Sequence, residues 1–358
     1  MGKVHVIGAG PAGSIAAISA VRSGHDVSLY EEHPSAGIPS KCSGLISKEG
    51  LEFLKEFVDY KKHAITAMQG AIIDFAGFRL KVDSGRDIAY LIDRASFDAE
   101  LALKAEREGA RVFYSRRAEK PFPEGTIIGA DGANSTVASS FLFPAIGKFV
   151  GTAKAQVKYG GQMPEFARVF LSNSMFPGFF GWLIPQNEEE AEIGAGCALP
   201  GNPNRALESL SRYSGIALPQ ERRHSIIPVA QRPLTAARIR KRNVLLAGDA
   251  AGQVKSTTGG GVVFGTKCAL LAGRNADFPG IYEKEWRERY GPDLDAHQRI
   301  RLSLSGLNDD SLRAIGSLAS ALKMERFLGE KGSMDSPMSM LCPELFLHPF
   351  RALLKNSN

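Results

Sequence analysis

The chain has 358 residues, 44% hydrophobic and 23% charged, with a net charge of +6 from 44 basic and 38 acidic residues. That length allows a large core and more than one lobe, and that composition excludes disordered, fibrous and collagen-like chains. The basic residues are scattered without a basic-aromatic stripe, so nucleic acid is not an expected partner. No apolar run reaches the ~18 residues of a membrane span. The four cysteines, Cys42, Cys197, Cys268 and Cys342, show neither metal nor disulfide-framework spacing. A strand begins almost at Met1, so a signal peptide is not expected, and a cytoplasmic protein is.

The opening residues carry the strongest pattern. An apolar strand at 4–7 runs into Gly8-Ala9-Gly10-Pro11-Ala12-Gly13, and an alanine-rich helix follows to about Arg22. Gly24 then turns the chain into a second strand at 26–30, which ends on Glu31. These are the parts of the βαβ dinucleotide fingerprint in order. Gly8 allows the tight turn, Gly10 lets the backbone approach a pyrophosphate, and Gly13 lets the helix pack close to the strand. The helix N-terminus offers free N–H groups and the positive end of the dipole. Glu31 follows Gly8 by 23 residues, near the usual spacing of roughly 20 for the acid that takes the ribose hydroxyls. An acid there favours FAD or NAD over NADP.

Residues 32–45 are rich in Pro, Ser and Gly and read as a loop. Leu51, Leu54, Phe57 and Val58 fall at helical spacing and predict a helix over 47–61. Residues 64–82 alternate around Gly70 and Gly77 and read as strands. In Asp93-Arg94-Ala95-Ser96-Phe97-Asp98, Ser96 is the expected cap of a helix over 97–108. Arg94 is a candidate for a phosphate or ribityl oxygen, with a surface salt bridge as the alternative. Strands are expected over 111–118 and 126–130. The second ends in Gly129-Ala130-Asp131-Gly132, either another approach to the cofactor or an ordinary Asp-Gly turn.

From 148 to 228 strands at 151–159, 167–171, 181–185 and 191–197 alternate with turns around a helix at 204–213. That is the texture of a mostly antiparallel sheet inserted into the nucleotide fold. A buried parallel strand over 242–249 leads into Gly248-Asp249-Ala250-Ala251-Gly252, and Gly259-Gly260-Gly261-Val262 opens another helix. Such an aspartate accepts hydrogen bonds from a ribityl chain, and such a helix N-terminus suits the flavin edge where negative charge builds on reduction. From 281 the chain reads as helical, broken at Gly291-Pro292, at 329–336 and at Pro343. The stripe Leu312, Ile315, Leu318, Ala319 and Leu322 reads as core packing, with a pocket lid or membrane-surface helix as the alternative. Residues 346–350 carry the same two readings. No histidine occupies a motif position, no metal site emerges, and the hydrolase signature G-x-S-x-G is absent.

The four nucleotide blocks in this order resemble the FAD-dependent oxidoreductases of the p-hydroxybenzoate hydroxylase fold. The expected fold class is α/β: a Rossmann-like FAD-binding domain, an inserted, mostly antiparallel β-sheet domain and a C-terminal helical segment. The expected division is 1–62, 90–147 and 229–290 for the first, 63–89 and 148–228 for the second and 291–358 for the third. Two further blocks are Pro39-Ser40-Lys41-Cys42-Ser43-Gly44 and Phe180-Gly181-Trp182-Leu183-Ile184-Pro185. With them the chain is similar to the geranylgeranyl reductase family, and most of all to the archaeal digeranylgeranylglycerophospholipid reductases, over roughly residues 1–290.

The resemblance implies FAD as cofactor and a prenylated (phospho)lipid as substrate. Hydride would pass from reduced FAD to one alkene carbon and a proton to the other. It leaves NAD(P)H or ferredoxin as electron donor and implies peripheral contact with a membrane. Carried over by position, the FAD contacts are Ala12, Glu31, Cys42, Ser43, Leu45, Arg94, Asp249, Gly261 and Val262, with Ala118 on the adenine side by spacing alone. Cys42 would sit near the isoalloxazine as a holder of the flavin or a proton relay, against a passive small residue. Phe180, Trp182 and Pro185 would line an apolar tunnel, against plain sheet packing. A monooxygenase of the same fold is the alternative function, and a flavin-binding electron-transfer module is a third. Ser256 stands where most relatives carry proline, Ser43 where glycine is usual, and the C-terminal region is short for the family.

Overall fold

Lys3–Ile7 is buried at every position from Val4 to Ile7, His5 included, as a parallel strand covered on both faces must be. It lies inside a six-stranded sheet ordered Ala236–Ile239, Arg242–Leu246, Thr126–Gly129, Lys3–Ile7, Asp26–Tyr30 and Arg111–Phe113. Every neighbouring pair is parallel except the first. The structure is a computed structural model that describes residues 2–40, 42–118, 120, 122–161 and 163–336. Lys41, Cys342, Pro343 and the stretch 346–350 lie outside the described residues.

The chain divides into two compact units. The first comprises Met1–Ile65, Leu91–Val150 and Ser225–Leu294, and holds the parallel sheet. Its helices Pro11–Arg22 and Val262–Arg274 cross at close range because small residues meet there. A β-carbon on Gly273 would overlap the Ala16 carbonyl, and Ser19 Oγ donates to the Leu270 carbonyl at 2.7 Å. Behind the sheet, Tyr282 Oη donates to the Leu246 carbonyl at 2.6 Å and accepts from Gln253 Nε2 at 3.0 Å. Both groups are buried, and this exchange satisfies them without water.

The second unit comprises Thr66–Tyr90, Gly151–His224 and Asp295–Asn358. A seven-stranded sheet runs in the order Arg223–Pro228, Phe149–Lys158, Glu190–Ala198, Gly181–Pro185, Phe166–Leu171, Gly70–Phe75 and Phe78–Asp83. Gly181–Pro185 pairs antiparallel with both Glu190–Ala198 and Phe166–Leu171, and Gly70–Phe75 antiparallel with Phe78–Asp83, whereas Phe166–Leu171 runs parallel to Gly70–Phe75. Leu183, Ile193 and Ala195 pack under Leu207 and Leu210 of the helix Pro203–Ser214. Trp182 and Glu192 take the alternate positions and the opposite face.

Several local expectations change. The helix expected over 47–61 is only Lys48–Leu54, with a 3-10 turn at Tyr60–His63 after it. The helix after residue 93 is Arg94–Arg107, capped by Asp93, whose carboxylate accepts from the Ala95 N–H; Ser96 turns to Asp93 and His63 instead. The strand Arg111–Phe113 is shorter than 111–118 because Ser115 takes a left-handed φ of 52°. The strand Arg242–Leu246 stops early, and Gly248–Ala251 coils into a 3-10 turn. The helix Pro279–Ser305 runs through Pro292, with Trp286 and Leu294 buried on either side of it; burial outweighs the lost hydrogen bond. In the helix Asp309–Ala321 the apolar stripe divides. Leu312 and Gly316 turn inward, whereas Ile315, Leu318 and Leu322 are 39%, 59% and 39% exposed.

Candidate functional site

Four parallel strands deliver their carboxyl ends to one side of the first unit's sheet. Ile7 leads into Gly8, Tyr30 into Glu31, Gly129 into Ala130-Asp131, and Leu246 into Gly248-Asp249. In open α/β sheets the crevice at these ends takes the ligand.

The glycine turn has an open centre between two crowded positions. Gly8 has a φ of +95°, and a β-carbon there would stand 2.5 Å from the Ala130 carbonyl oxygen. A β-carbon on Gly13 would overlap the Gly8 carbonyl oxygen. Nothing lies within 4 Å of the place where Gly10 would carry one. Gly10 caps the helix without a side chain, and Pro11 follows, so the N–H groups of Ala12 and Gly13 are first-turn donors with no side-chain cap. An open cradle beside uncapped donors and a positive dipole end fits a pyrophosphate.

Glu31 is held in place by its neighbours. It is 8% exposed, its Oε2 accepts from the Ala9 N–H at 2.9 Å, and its Oε1 accepts from the His33 N–H at 3.0 Å. His33 Nδ1 lies 2.7 Å from the same Oε1. The left-handed Ser115 folds the next segment back: Ser115 N–H donates to the His33 carbonyl and Arg116 N–H to that of Glu31. Ala118, like Tyr30, packs against the edge of the core cluster that holds Ile7 and Ile127.

The cysteine loop is fastened at two glycines. A β-carbon on Gly37 would stand 2.6 Å from the Arg94 carbonyl oxygen, and one on Gly44 would overlap the Ile92 carbonyl. The Ile92 N–H donates to the Gly44 carbonyl at 2.9 Å. Cys42 is exposed between these anchors, with the Gly44 N–H 3.4 Å from its Sγ. Ser43 and Leu45 beside it are half-buried.

Arg94 sits in the middle of the charges. It forms a bidentate pair with Asp98, with both N–H···O distances 2.8 Å, and it also reaches Cys42. Burial works to lower the Arg94 pKa, but Asp98 and Cys42 outweigh it, and the net shift is upward. For Asp98 burial wins: its pKa is raised despite Arg94, with Glu31 adding to the rise. Asp249 feels the same cation. Desolvation pushes its carboxyl up to about 6 against the pull of Arg94, and that carboxyl makes no hydrogen bond to a described residue. A β-carbon on Gly261 would stand 2.6 Å from Asp249 Oδ1, so the acid lies against the uncapped start of the helix Val262–Arg274. A desolvated acid without a hydrogen bond, beside free helix donors, fits the hydroxyls of a ligand.

Asp131 has another task. Its carboxylate accepts from Ser135 Oγ at 2.6 Å and from the Val137 N–H at 3.0 Å, fastening the short helix Thr136–Ser140. Burial raises its pKa against those hydrogen bonds. It is the Ala130 carbonyl that meets the Gly8 turn. Phe180, Trp182 and Pro185 belong to the second unit. Trp182 and Pro185 are buried, Phe180 is half-buried, and the Phe180 and Trp182 ring centroids are 5.7 Å apart. Among the described residues no group of three or more His, Cys, Asp or Glu could hold a metal.

Sequence reasoning passed over four residues that hold this site in shape. His33 orients Glu31, and Asp98 orients Arg94 from one turn along the same helix. Gln253 Oε1 accepts from the Gly248 N–H at 2.9 Å, and Arg232 Nε donates to the Ala250 carbonyl at 2.8 Å. Asp98 closes the block that holds Arg94 and Gln253 follows Gly252, so both were open to notice. Arg232 carries no local signal.

A family model described as "Glucose inhibited division protein A" matches residues 3–110. The chain is 30% identical over 376 residues to a digeranylgeranylglycerophospholipid reductase of Methanosarcina acetivorans, covering 90% of this chain and 89% of the relative. It is 30% identical over 373 residues to the protein of that name from Methanosarcina mazei, with the same coverage. Among solved structures, a geranylgeranyl bacteriochlorophyll reductase-like protein of Thermoplasma acidophilum superimposes with a TM-score of 0.79. It is 19% identical, over 95% of this chain and 94% of that one. A probable FAD-dependent monooxygenase of Pseudomonas aeruginosa gives 0.66 at 15% identity, over 88% of this chain and 99% of that one.

Proposed function

This chain belongs to the digeranylgeranylglycerophospholipid reductase family, and we propose that it is an FAD-dependent reductase that saturates the prenyl double bonds of an isoprenoid ether phospholipid. The observation that carries the cofactor assignment is the Asp249 carboxyl. It has no hydrogen bond to a described residue and lies against an uncapped helix start, in the same unit as the open cradle over Gly10.

The first unit is the FAD-binding domain and the second the substrate domain. Gly8, Gly10, Ala12 and Gly13 would hold the pyrophosphate and Glu31 the ribose, with Ala118 on the adenine side. Arg94 and Asp249 would take the ribityl chain, and Asp131 supports the turn beside it. Gly261 and Val262, with Cys42, Ser43 and Leu45, would border the ring system. When bound and reduced, FAD supplies hydride chemistry. The chain's own share is to bind the lipid, exclude water and hold a proton for the second alkene carbon. Cys42, beside the Arg94 cation, is the thiol for that neighbourhood, and Phe180, Trp182 and Pro185 are the apolar wall for the prenyl chain.

NAD(P)H or a ferredoxin refills the flavin, and anaerobic titration with each distinguishes them. The protein works from the cytoplasmic side, in peripheral contact with the membrane that holds its substrate. No helix among the described residues is long and apolar enough to cross a membrane. The exposed row Ile315, Leu318 and Leu322 supports surface contact.

The test is anaerobic. The purified protein is reduced chemically, mixed with geranylgeranyl lipid, and followed by flavin absorbance and mass spectrometry of the lipid. A gain of about two mass units per double bond, one H2 each, is expected. Reoxidation only on admission of oxygen, with a hydroxylated product, would establish the monooxygenase reading instead. Cys42→Ala is expected to retain FAD and slow alkene reduction; unchanged turnover removes Cys42 from the chemistry.

A further inference from the structure

A buried charge pair stands on the sheet face that carries Trp182. Lys154 and Glu192 are 6% and 4% exposed, with Lys154 Nζ 2.8 Å from Glu192 Oε2. The other carboxylate oxygen accepts the Trp182 indole N–H at 3.0 Å. Trp182 stands directly opposite Gly194, and Glu192 lies opposite Ile184, on adjacent antiparallel strands. A β-carbon on Gly194 would overlap the indole, so the ring lies across that position with its nitrogen toward Glu192. Phe180 borders the ring as well.

Plain packing does not account for the charges. Ions taken out of water lose solvation that their mutual attraction seldom makes good, and an apolar pair of similar volume is often at least as stable. An apolar pair could not accept an indole N–H, however, and a buried indole N–H without an acceptor is unfavourable. The ion pair therefore does something specific to this ring: Lys154 holds the carboxylate, and the carboxylate holds the indole.

We propose that Lys154 and Glu192 are positioning residues that lock the Trp182 ring flat on the sheet, and that the locked ring sets the surface against which the substrate's prenyl chain lies. This rests on the reading of Trp182 as a wall of the lipid pocket.

The test uses holoenzyme labelled with 5-fluorotryptophan. The chain has two tryptophans, and Trp286→Phe assigns the two 19F resonances. Lys154→Met/Glu192→Leu removes both charges and the acceptor together. Lys154→Met/Glu192→Gln removes the charges and keeps an acceptor. In the leucine variant the Trp182 resonance is expected to shift and broaden, and KM for geranylgeranyl lipid to rise about tenfold with kcat within about twofold. In the glutamine variant, which keeps an acceptor but lacks the Lys154 clamp, both the resonance and KM are expected to recover only in part, and full recovery would remove Lys154 from the positioning role. A wild-type resonance or a wild-type KM in the leucine variant overturns the positioning role.

Gly194→Ala leaves the pair intact and removes the room for a flat ring, so it keeps the idea testable if the double variant does not fold. Its Trp182 resonance and KM are expected to move in the same direction, and wild-type values there count against the proposal. Geranylgeraniol added to the wild-type protein should shift the Trp182 resonance. If the lipid is reduced while that resonance stays fixed, the reading of Trp182 as a pocket wall fails separately and takes the proposal with it.

Discussion

Gly10 and Gly13, three residues apart, are needed for opposite reasons. A β-carbon on Gly13 meets backbone, and one on Gly10 meets open space. Gly13→Ala is expected to destabilise the protein by about 1–3 kcal/mol, seen in urea unfolding of the apoprotein. Gly10→Ala is expected to leave that stability within about 1 kcal/mol, yet to weaken FAD binding at least tenfold (about 1.4 kcal/mol) in a flavin titration. Asp249 shows another tension. Its folded pKa of about 6 exceeds an unfolded value near 3.9, so the folded state binds the extra proton. Its charge therefore opposes folding above pH 6, and the penalty is relieved as pH falls through 6 toward 4. Asp249→Asn is expected to stabilise the apoprotein at pH 7.5 by about 2 kcal/mol, to gain much less at pH 4.5, and to lose FAD affinity. A thermal scan at both pH values checks the sign. The motif placed Asp249, but its lack of a partner was not readable there, because desolvation depends on chain from elsewhere.

Helix ends and helix faces were legible to different degrees. The helix after residue 93 was visible from its spacing, but its start was misplaced by three residues because both Asp93 and Ser96 are good caps. Asp93 takes the role, which puts Arg94 in the first turn and lets it meet Asp98 four residues on. Asp93→Ala is expected to cost about 1 kcal/mol in urea unfolding. The helix Asp309–Ala321 shows what periodicity leaves open. Leu312 packs inward and Leu318 outward, although one helical stripe contains both. Leu318→Asp is expected to change stability by no more than about 0.5 kcal/mol while reducing cosedimentation with lipid vesicles. Equal cosedimentation would leave that outward row without a membrane role.

At the scale of the whole molecule, the proposed FAD site draws on three separate chain segments of one unit, which would couple binding to the folding of that unit. Stripping FAD is expected to lower the thermal midpoint, and adding it back at 100 times its Kd to restore about 2.7 kcal/mol. Loss of FAD with no change in the midpoint would break that link. The sequence by itself determined the βαβ glycine turn, the Asp249 block, the inserted sheet and the α/β class. Each is written in spacings of a few residues, where local backbone geometry and side-chain period act. Only the tertiary structure decided that Glu31, Arg94 and Asp249, which are 63 and 155 residues apart in succession, share one run of charge. It alone set Arg232 under the Ala250 carbonyl and Glu192 against the Trp182 indole. Burial and electrostatic coupling arise from neighbours in space, and the linear order of the chain does not contain them.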